Sequence, residues 1–439
     1  MPTLRNRRLE QLLGGLIDES LTYSQVKGLI PATAEGPDLD FKRDTYGSSN
    51  SDRKKLCGDV GALANANGGI LILGMDEDEQ GRAATDTGVN ITDDERRRLR
   101  QTVYGNIQPT PTFDVIPVED PSRPGRGFLI VWVARSANAP HAYVGENKSL
   151  LYPKRIGTET VWLSESEVAE AYRMRFAGLS SRIEEAARIE ADFARRHSMD
   201  DLFVLVTLVP DVPGGFTVDT AALDAFQLSN ASQQTGAFGI PVRRFSRSTV
   251  RHRRLVGTGS FEPGKPYSHG ACELHENGNG AFSTAVSSQV SGNEDPGAGL
   301  VDTQWLTLGI GAGLRFLAHH AQSRAATGGH ATVRATIWPG SRPVALVSNV
   351  GWPNEQVGGE IVTEQPYADT VADIDDLSEG GVGLVATTHR LASELFQSFG
   401  APEVAQVTAA GGVRLPYWHR SAQQDIKRWA AATGVEVHT

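Results

Sequence analysis

Apolar residues along this chain follow two rhythms, one near 3.6 and one near 2, and their alternation outlines the elements. In "LRNRRLEQLLGGLI" the residues Leu9, Leu12, Leu13 and Ile17 form one helical stripe, and "TYSQVKGLI" predicts a second short helix that Pro31 stops. "DLDFK" alternates as a strand does. After the polar "GSSNS" a helix is expected from about Asp52 to Ala66, with Leu56, Val60, Leu63 and Ala64 at helical intervals. "NANGG" closes it, because Asn and Gly accept the left-handed backbone found just past a helix C-terminus. "ILILG" then reads as a buried strand that ends in the acid cluster "MDEDE".

A helix through "TDDERRRLRQTVYGNI" follows, with Thr92 as N-cap and acids in its first turn. "FDVIPV" and "GFLIVWVA", separated by the Pro/Gly-rich "EDPSRPGRG", predict paired strands, and "SLLYPKRIGTETVWL" predicts another pair. A long helical tract runs from Ser164 to about His197. Beyond residue 200 the pattern changes: "LFVLVTLVP" is a strand, "CELHENGNGAFSTAVSS" a hairpin, and "TQWLTLGIGAGLRFLAHHA" and "GLVATTHRLASELFQSFG" are helices. The resulting fold class is α/β in the mixed, α+β sense. It divides into a helical segment at 1–30, a mixed-sheet domain at 31–175, a helical linker at 176–199 and a second α+β domain at 200–439.

Length supports that division, since 439 residues exceed what one core usually organises. The two cysteines, Cys57 and Cys272, lie far apart and outside any CxxC, which fits free thiols in a reducing compartment and argues against a structural zinc site of the usual four-ligand kind. No stretch approaches the length of a membrane span and the first residues lack a signal-peptide pattern, so a soluble cytoplasmic protein is expected. The formal charge of -10 lowers the expectation of a nucleic-acid partner without excluding one, because binding depends on a local basic patch; Lys and Arg are denser before residue 200 than after it.

The candidate chemistry sits in "EGPDLDFKRD". With period two, Asp40 and Lys42 share one strand face, expected to be open, while Leu39 and Phe41 point inward. A Gly-Pro turn can fold Glu35 back toward Asp40. Asp76, Glu77 and Asp78 follow the buried strand "ILILG", at the end where sheet proteins place their sites. Carboxylates brought together repel unless a cation lies between them, and hard ions such as Mg²⁺ or Mn²⁺ take oxygen ligands and activate water toward a phosphodiester. Lys42 would then contact the scissile phosphate. The bland alternative is a solvated charged turn before an edge strand, and for "EGPDLDFKRD" alone it is the better reading. The acid cluster some forty residues on reverses the balance. Asp59, inside a helix beside Gly58, suits a partner of the site and an exposed helical position equally.

The stretches "ExxxxDFK" at 35–42, "KLCGDVGALANANGGILILGMDED" at 55–78, and "YPKRIGTET" at 152–160 followed by "SESEVAEAYRMRF" resemble the Schlafen AlbA-type domain, over roughly residues 10–175. That resemblance implies a mixed α/β module and, for nuclease-active members, metal-dependent cutting of structured RNA such as tRNA by three acids. Carried over, the acids are Glu35, Asp40 and one of Asp76, Glu77 and Asp78, with Mn²⁺ or Mg²⁺ as cofactor. Lys42, Arg43 and Arg155 are the expected RNA contacts. Position 40 departs from the eukaryotic members in carrying Asp for Glu, and a homodimer would supply the second lobe those members have. A role in defence against phage follows from family context only; the competing implication is a non-catalytic nucleic-acid-binding or transcription-regulatory module.

Other motifs carry less. "RRRLR", Arg96 to Arg100, follows "DDE" at a spacing that favours helical surface pairs. His141 is close to Arg155 in sequence, with a structural role at least as expected. His319, His320 and "GIGAG" fall in a predicted core helix, and neither a phosphate-binding GxxxxGK[ST] nor GxSxG nor HExxH occurs.

Overall fold

The computed structural model describes residues 6–197, 202–232, 236–241, 245–259, 270–288, 297–338 and 343–439. The chain divides into two units, one ending at Ser180 and the other beginning at Ser181. Two short helices, α1 (Arg7–Leu13) and α2 (Tyr23–Lys27), open the first. α1 is capped by Asn6 and stopped by left-handed Gly14, so only positions such as Leu9 and Leu13, four apart, share its inner face. Leu12 is 36% exposed instead of joining the stripe, and Ile17 is buried from beyond the helix.

The sheet starts with a β-α-β unit: β1 (Leu39–Lys42), α3 (Asn50–Ala64) and β2 (Gly69–Leu73), with β1 and β2 parallel and Asp40 opposite Leu71. The short hairpin of β3 (Met75–Glu77) and β4 (Ala83–Asp86) comes next, then β5 (Val89–Asn90), α4 (Asp93–Asn106), β6 (Ile107–Gln108), β7 (Phe113–Glu119) and β8 (Arg126–Val133). β8 pairs antiparallel with β2, β5 and β7, which makes β2 an inner strand and leaves β1 at the edge. β9 (Ala142–Val144) and β10 (Leu150–Leu151) pair with each other, and β11 (Pro153–Ile156) and β12 (Glu159–Trp162) form a hairpin before the long helix α5 (Glu165–Arg196).

Because side chains alternate, the sheet builds two cores. Leu39, Phe41, Ile70, Ile72, Phe128 and Ile130 pack with Leu9, Leu13 and Val26 on one face. Leu71, Leu73, Leu129 and Val131 pack with Leu56, Val60, Leu63 and Leu99 on the other. The second face is also the face of Asp40 and Lys42, so the expectation of an open charged face is corrected. α3 and the β11–β12 hairpin cover it, and Asp40 is 3% exposed.

The "NANGG" turn differs in detail from the simple helix stop. α3 ends at Ala64 with Asn65 still right-handed, and the left-handed residue is Gly68 at φ +70°. Asn65 instead clamps a neighbouring loop: its Nδ2 donates to the carbonyls of His141 (2.8 Å) and Pro153 (2.7 Å), while its Oδ1 accepts from His141 N. Gly69, at φ +146°, lies so close to β1 that an added Cβ would stand 2.3 Å from Asp38 O. Gly69→Ala is therefore expected to cost roughly 1–3 kcal/mol, read as a lower urea midpoint for the first unit.

In the second unit seven antiparallel strands run in the order Arg247–Arg251, Arg254–Thr258, Gly270–His275, Gly280–Ala285, Phe203–Pro210, His330–Trp338 and Tyr367–Asp373. The helix Thr303–His319 packs on this sheet, and "GIGAG" is what lets it approach. A Cβ on Gly309 would fall 2.5 Å from Val204 Cγ1, and one on Gly313 2.8 Å from Val206 Cβ. His320 is fully buried with its Nε2 2.9 Å from His275 O, and burial pushes its ring down to about 3. Among the described residues no helix is long and apolar enough to cross a membrane.

Candidate active site

β1 is an edge strand, and an edge leaves backbone N–H groups without sheet partners. Glu35 satisfies one of them. Its Oε1 accepts from Phe41 N at 2.7 Å, after the chain has turned through Gly36, whose N–H donates to Leu39 O at 2.9 Å. Glu35 N donates to Gly81 O at 2.8 Å, which fixes the segment against the turn between β3 and β4. Burial pushes the Glu35 carboxyl up to about 7; Phe41 N–H opposes this, and the charges of Asp40 and Glu77 add to it. Glu35 is thus the acid that feels the other two.

Asp40 is held from two sides. Arg155 on β11 places Nη1 2.9 Å from Asp40 Oδ1, and the Lys42 ammonium pairs with Oδ2. Burial alone would lower the Lys42 pKa, but Asp40, with Asp59 and Glu35 behind it, raises it overall. The sequence placed Arg155 among the RNA contacts; the structure encloses it instead. Its side chain is 3% exposed, and besides Asp40 its Nη2 donates to Gly36 O (3.2 Å) and Leu39 O (3.4 Å). A buried carboxylate requires a partner, and the residue register Arg155↔Thr160 on the β11–β12 hairpin supplies it from inside. Asp38, next in line, is taken up by Arg8.

Asp59 joins this group from α3. Tyr46 donates to its Oδ2 at 2.7 Å and Thr160 reaches Oδ1 at 3.5 Å. Burial raises its pKa, with Tyr46 and Lys42 opposing and Asp40 adding. Burial, then Asp59, pushes the buried Tyr46 hydroxyl well above its ordinary value. Tyr46 and Thr160 were missed in the sequence; the available signal was an acid flanked by Gly58 and Gly61 on an otherwise apolar helix face.

The three acids after β2 go separate ways. Asp76 meets Arg43, with Nη1 3.5 Å from Oδ2, so Arg43 is half occupied by a site acid while remaining exposed. Asp78 closes the turn: its Oδ1 accepts from Gln80 N and Arg82 N, and its Oδ2 from Arg82 Nε at 2.9 Å, contacts led by the Arg82 backbone that hold its pKa down. Glu77 lies against the same turn residue as Glu35, with Oε2 3.7 Å from where a Gly81 Cβ would be, and its charge acts on Glu35. A register shift falls between Asp76 and Glu77 in this hairpin.

Among the described residues no three His, Cys, Asp or Glu side chains are arranged to hold a metal ion. Asp40 is already neutralised by Arg155 and Lys42, so it does not offer the free donor the trio needs. Glu35 and Glu77 are oxygen donors of the kind a hard cation takes, and the Glu77 charge adds to the burial that raises the Glu35 pKa, with Lys42 opposing. The arginines of "RRRLR" are committed as helical pairs, Arg96 to Asp93, Arg97 to Asp94 and Arg98 to Glu95, while Arg100 reaches Asp114. His141 is buried with Nδ1 2.5 Å from Pro109 O and is structural.

Comparison with known proteins agrees with the motif reading over this unit. Residues 35–163 match the family model Schlafen, AlbA_2. No curated protein matches the chain. Two solved structures are similar to part of it: the DIP2311 protein from Corynebacterium diphtheriae, at 22% identity and TM-score 0.24, and the N-terminal domain of a putative ATP-dependent DNA helicase RecG-related protein from Nitrosomonas europaea, at 22% identity and TM-score 0.22. The first similarity covers 38% of this chain and 29% of that one; the second covers 31% and 90%.

Proposed function

We propose that residues 35–163, a Schlafen AlbA_2 domain, cleave phosphodiester bonds in structured RNA such as tRNA. The observation that carries this reading is Glu35: a half-buried carboxyl raised to about 7 beside the Lys42 ammonium. A carboxylate held there gains by the arrival of a cation, and Lys42 neutralises the phosphate it approaches. Asp40 and Asp59 keep Lys42 charged and aimed; Arg155 holds the turn that carries Glu35. Glu35 and Glu77 are the residues that would hold Mn²⁺ or Mg²⁺, which supplies charge neutralisation and an activated water when bound. Pairing of two copies, a sensing or recruiting role for the second unit and action against phage belong to the same proposal.

One observation favours a second reading. The closed Asp40–Arg155 pair is what a structural acid shows, and it suits a module that binds nucleic acid without cutting it. Incubating the protein with total tRNA and Mn²⁺, with and without EDTA, separates the two. Cleavage that EDTA stops, that Glu77→Gln lowers about tenfold to a hundredfold, and that Asp78→Asn leaves within about twofold is expected. Binding without cleavage in either metal would establish the regulator instead.

A further inference from the structure

Trp162 ends β12 and is 41% exposed, one of the largest apolar side chains at this unit's surface. Its position is tied to the site. In the β11–β12 register Trp162 faces Pro153 and Thr160 faces Arg155, so by alternation these four residues share the hairpin face that meets α3. Along that face Arg155 holds Asp40, Thr160 reaches Asp59, and Trp162 lies over the next part of the helix. Gly58 makes room for it: a Cβ there would stand 3.5 Å from Trp162 Cη2. Lys54, one turn earlier on α3, carries its ammonium 5.3 Å from the indole centroid.

We infer that Trp162 is a stacking platform for one unpaired nucleobase of RNA, with Lys54 meeting the adjoining phosphate. This rests on the RNA-cleaving reading and deepens it. An indole stacks any base without sequence preference, and the Lys54 ammonium, which lies over this ring 5.3 Å from its centroid, answers the charge that accompanies each base. A base inside a duplex cannot reach the platform, so the site favours nucleotides in loops, bulges or single strands.

The experiment uses the full chain carrying Glu35→Gln, so that binding is read without cleavage, with oligouridine and a blunt RNA duplex as probes. Trp162→Leu keeps apolar volume over Gly58 but removes the π face, and Trp162→Phe keeps both. Trp162→Leu is expected to weaken oligouridine binding about tenfold or more, with Trp162→Phe within about threefold of the parent and duplex binding changed in neither. Equal affinities for the Leu, Phe and parent proteins, or an equal loss on duplex and oligouridine, would overturn the inference while leaving the cleavage reading standing. A Trp162-dependent grip on oligouridine in a protein that never cleaves would uphold the platform and sink the nuclease. Absence of RNA binding by the parent would overturn both.

Discussion

Glu35→Gln is expected to lower RNA cleavage by about two to four orders of magnitude and, in the same protein, to raise the stability of the first unit above neutral pH. The amide still offers an oxygen to Phe41 N, so the edge of β1 keeps its cap. What disappears is the ionisable group. Folding raises the Glu35 pKa from 4.5 to about 7, so between those values the folded protein binds the proton more tightly than the unfolded chain does. Stability of the parent therefore falls as pH rises through that window and levels off above about 7. Glu35→Gln has no such slope at this position. In metal-free buffer its urea midpoint should match the parent near pH 4 and exceed it increasingly up to about pH 7, with the gap constant above that. Parallel stability curves with cleavage intact would remove Glu35 from the site.

The pattern of residues 35–42 made the strand, the inward Leu39 and Phe41 and the shared face of Asp40 and Lys42 readable, because period-two alternation depends only on local geometry. What covers that face was not readable. Asp40 is buried because a hairpin more than a hundred residues later lies over it, and Arg155 is internal for the same reason; "YPKRIG" by itself looks like any basic strand end. Asp59 could be suspected from its glycine neighbours, but its partners Tyr46 and Thr160 come together only through tertiary packing. The proposed choice of Glu77 among three consecutive acids rests on its charge reaching Glu35, and nothing in "MDEDE" signals it. In the second unit "GIGAG" was readable as part of a core helix, and what the sequence did not show is how near that helix must lie to Val204 and Val206.

Arg155→Leu is expected to destabilise the first unit by about 3–5 kcal/mol, the usual consequence of leaving one member of a buried ion pair behind. Both side chains are almost fully enclosed, at 3% and 4% exposure, so solvent screens little of the interaction. Lys42 remains beside Asp40, but the carbonyls of Gly36 and Leu39 lose their guanidinium donor. At about 2–4 °C per kcal/mol for a unit of this size, calorimetry should show a melting transition lowered by about 6–20 °C. Asp40→Asn combined with Arg155→Leu should cost less than the two single losses added together, since the Asp40–Arg155 pair is broken only once; non-additivity in that cycle measures the pair itself. The outcome also decides what kind of residue Arg155 is. An arginine that binds RNA phosphate would leave the melting transition in place when replaced and flatten the salt dependence of binding by about one unit of slope. An arginine that holds the turn before β1 would lower the transition, and below the melting temperature would slow cleavage through displacement of Glu35, one residue from the Gly36 carbonyl it grips.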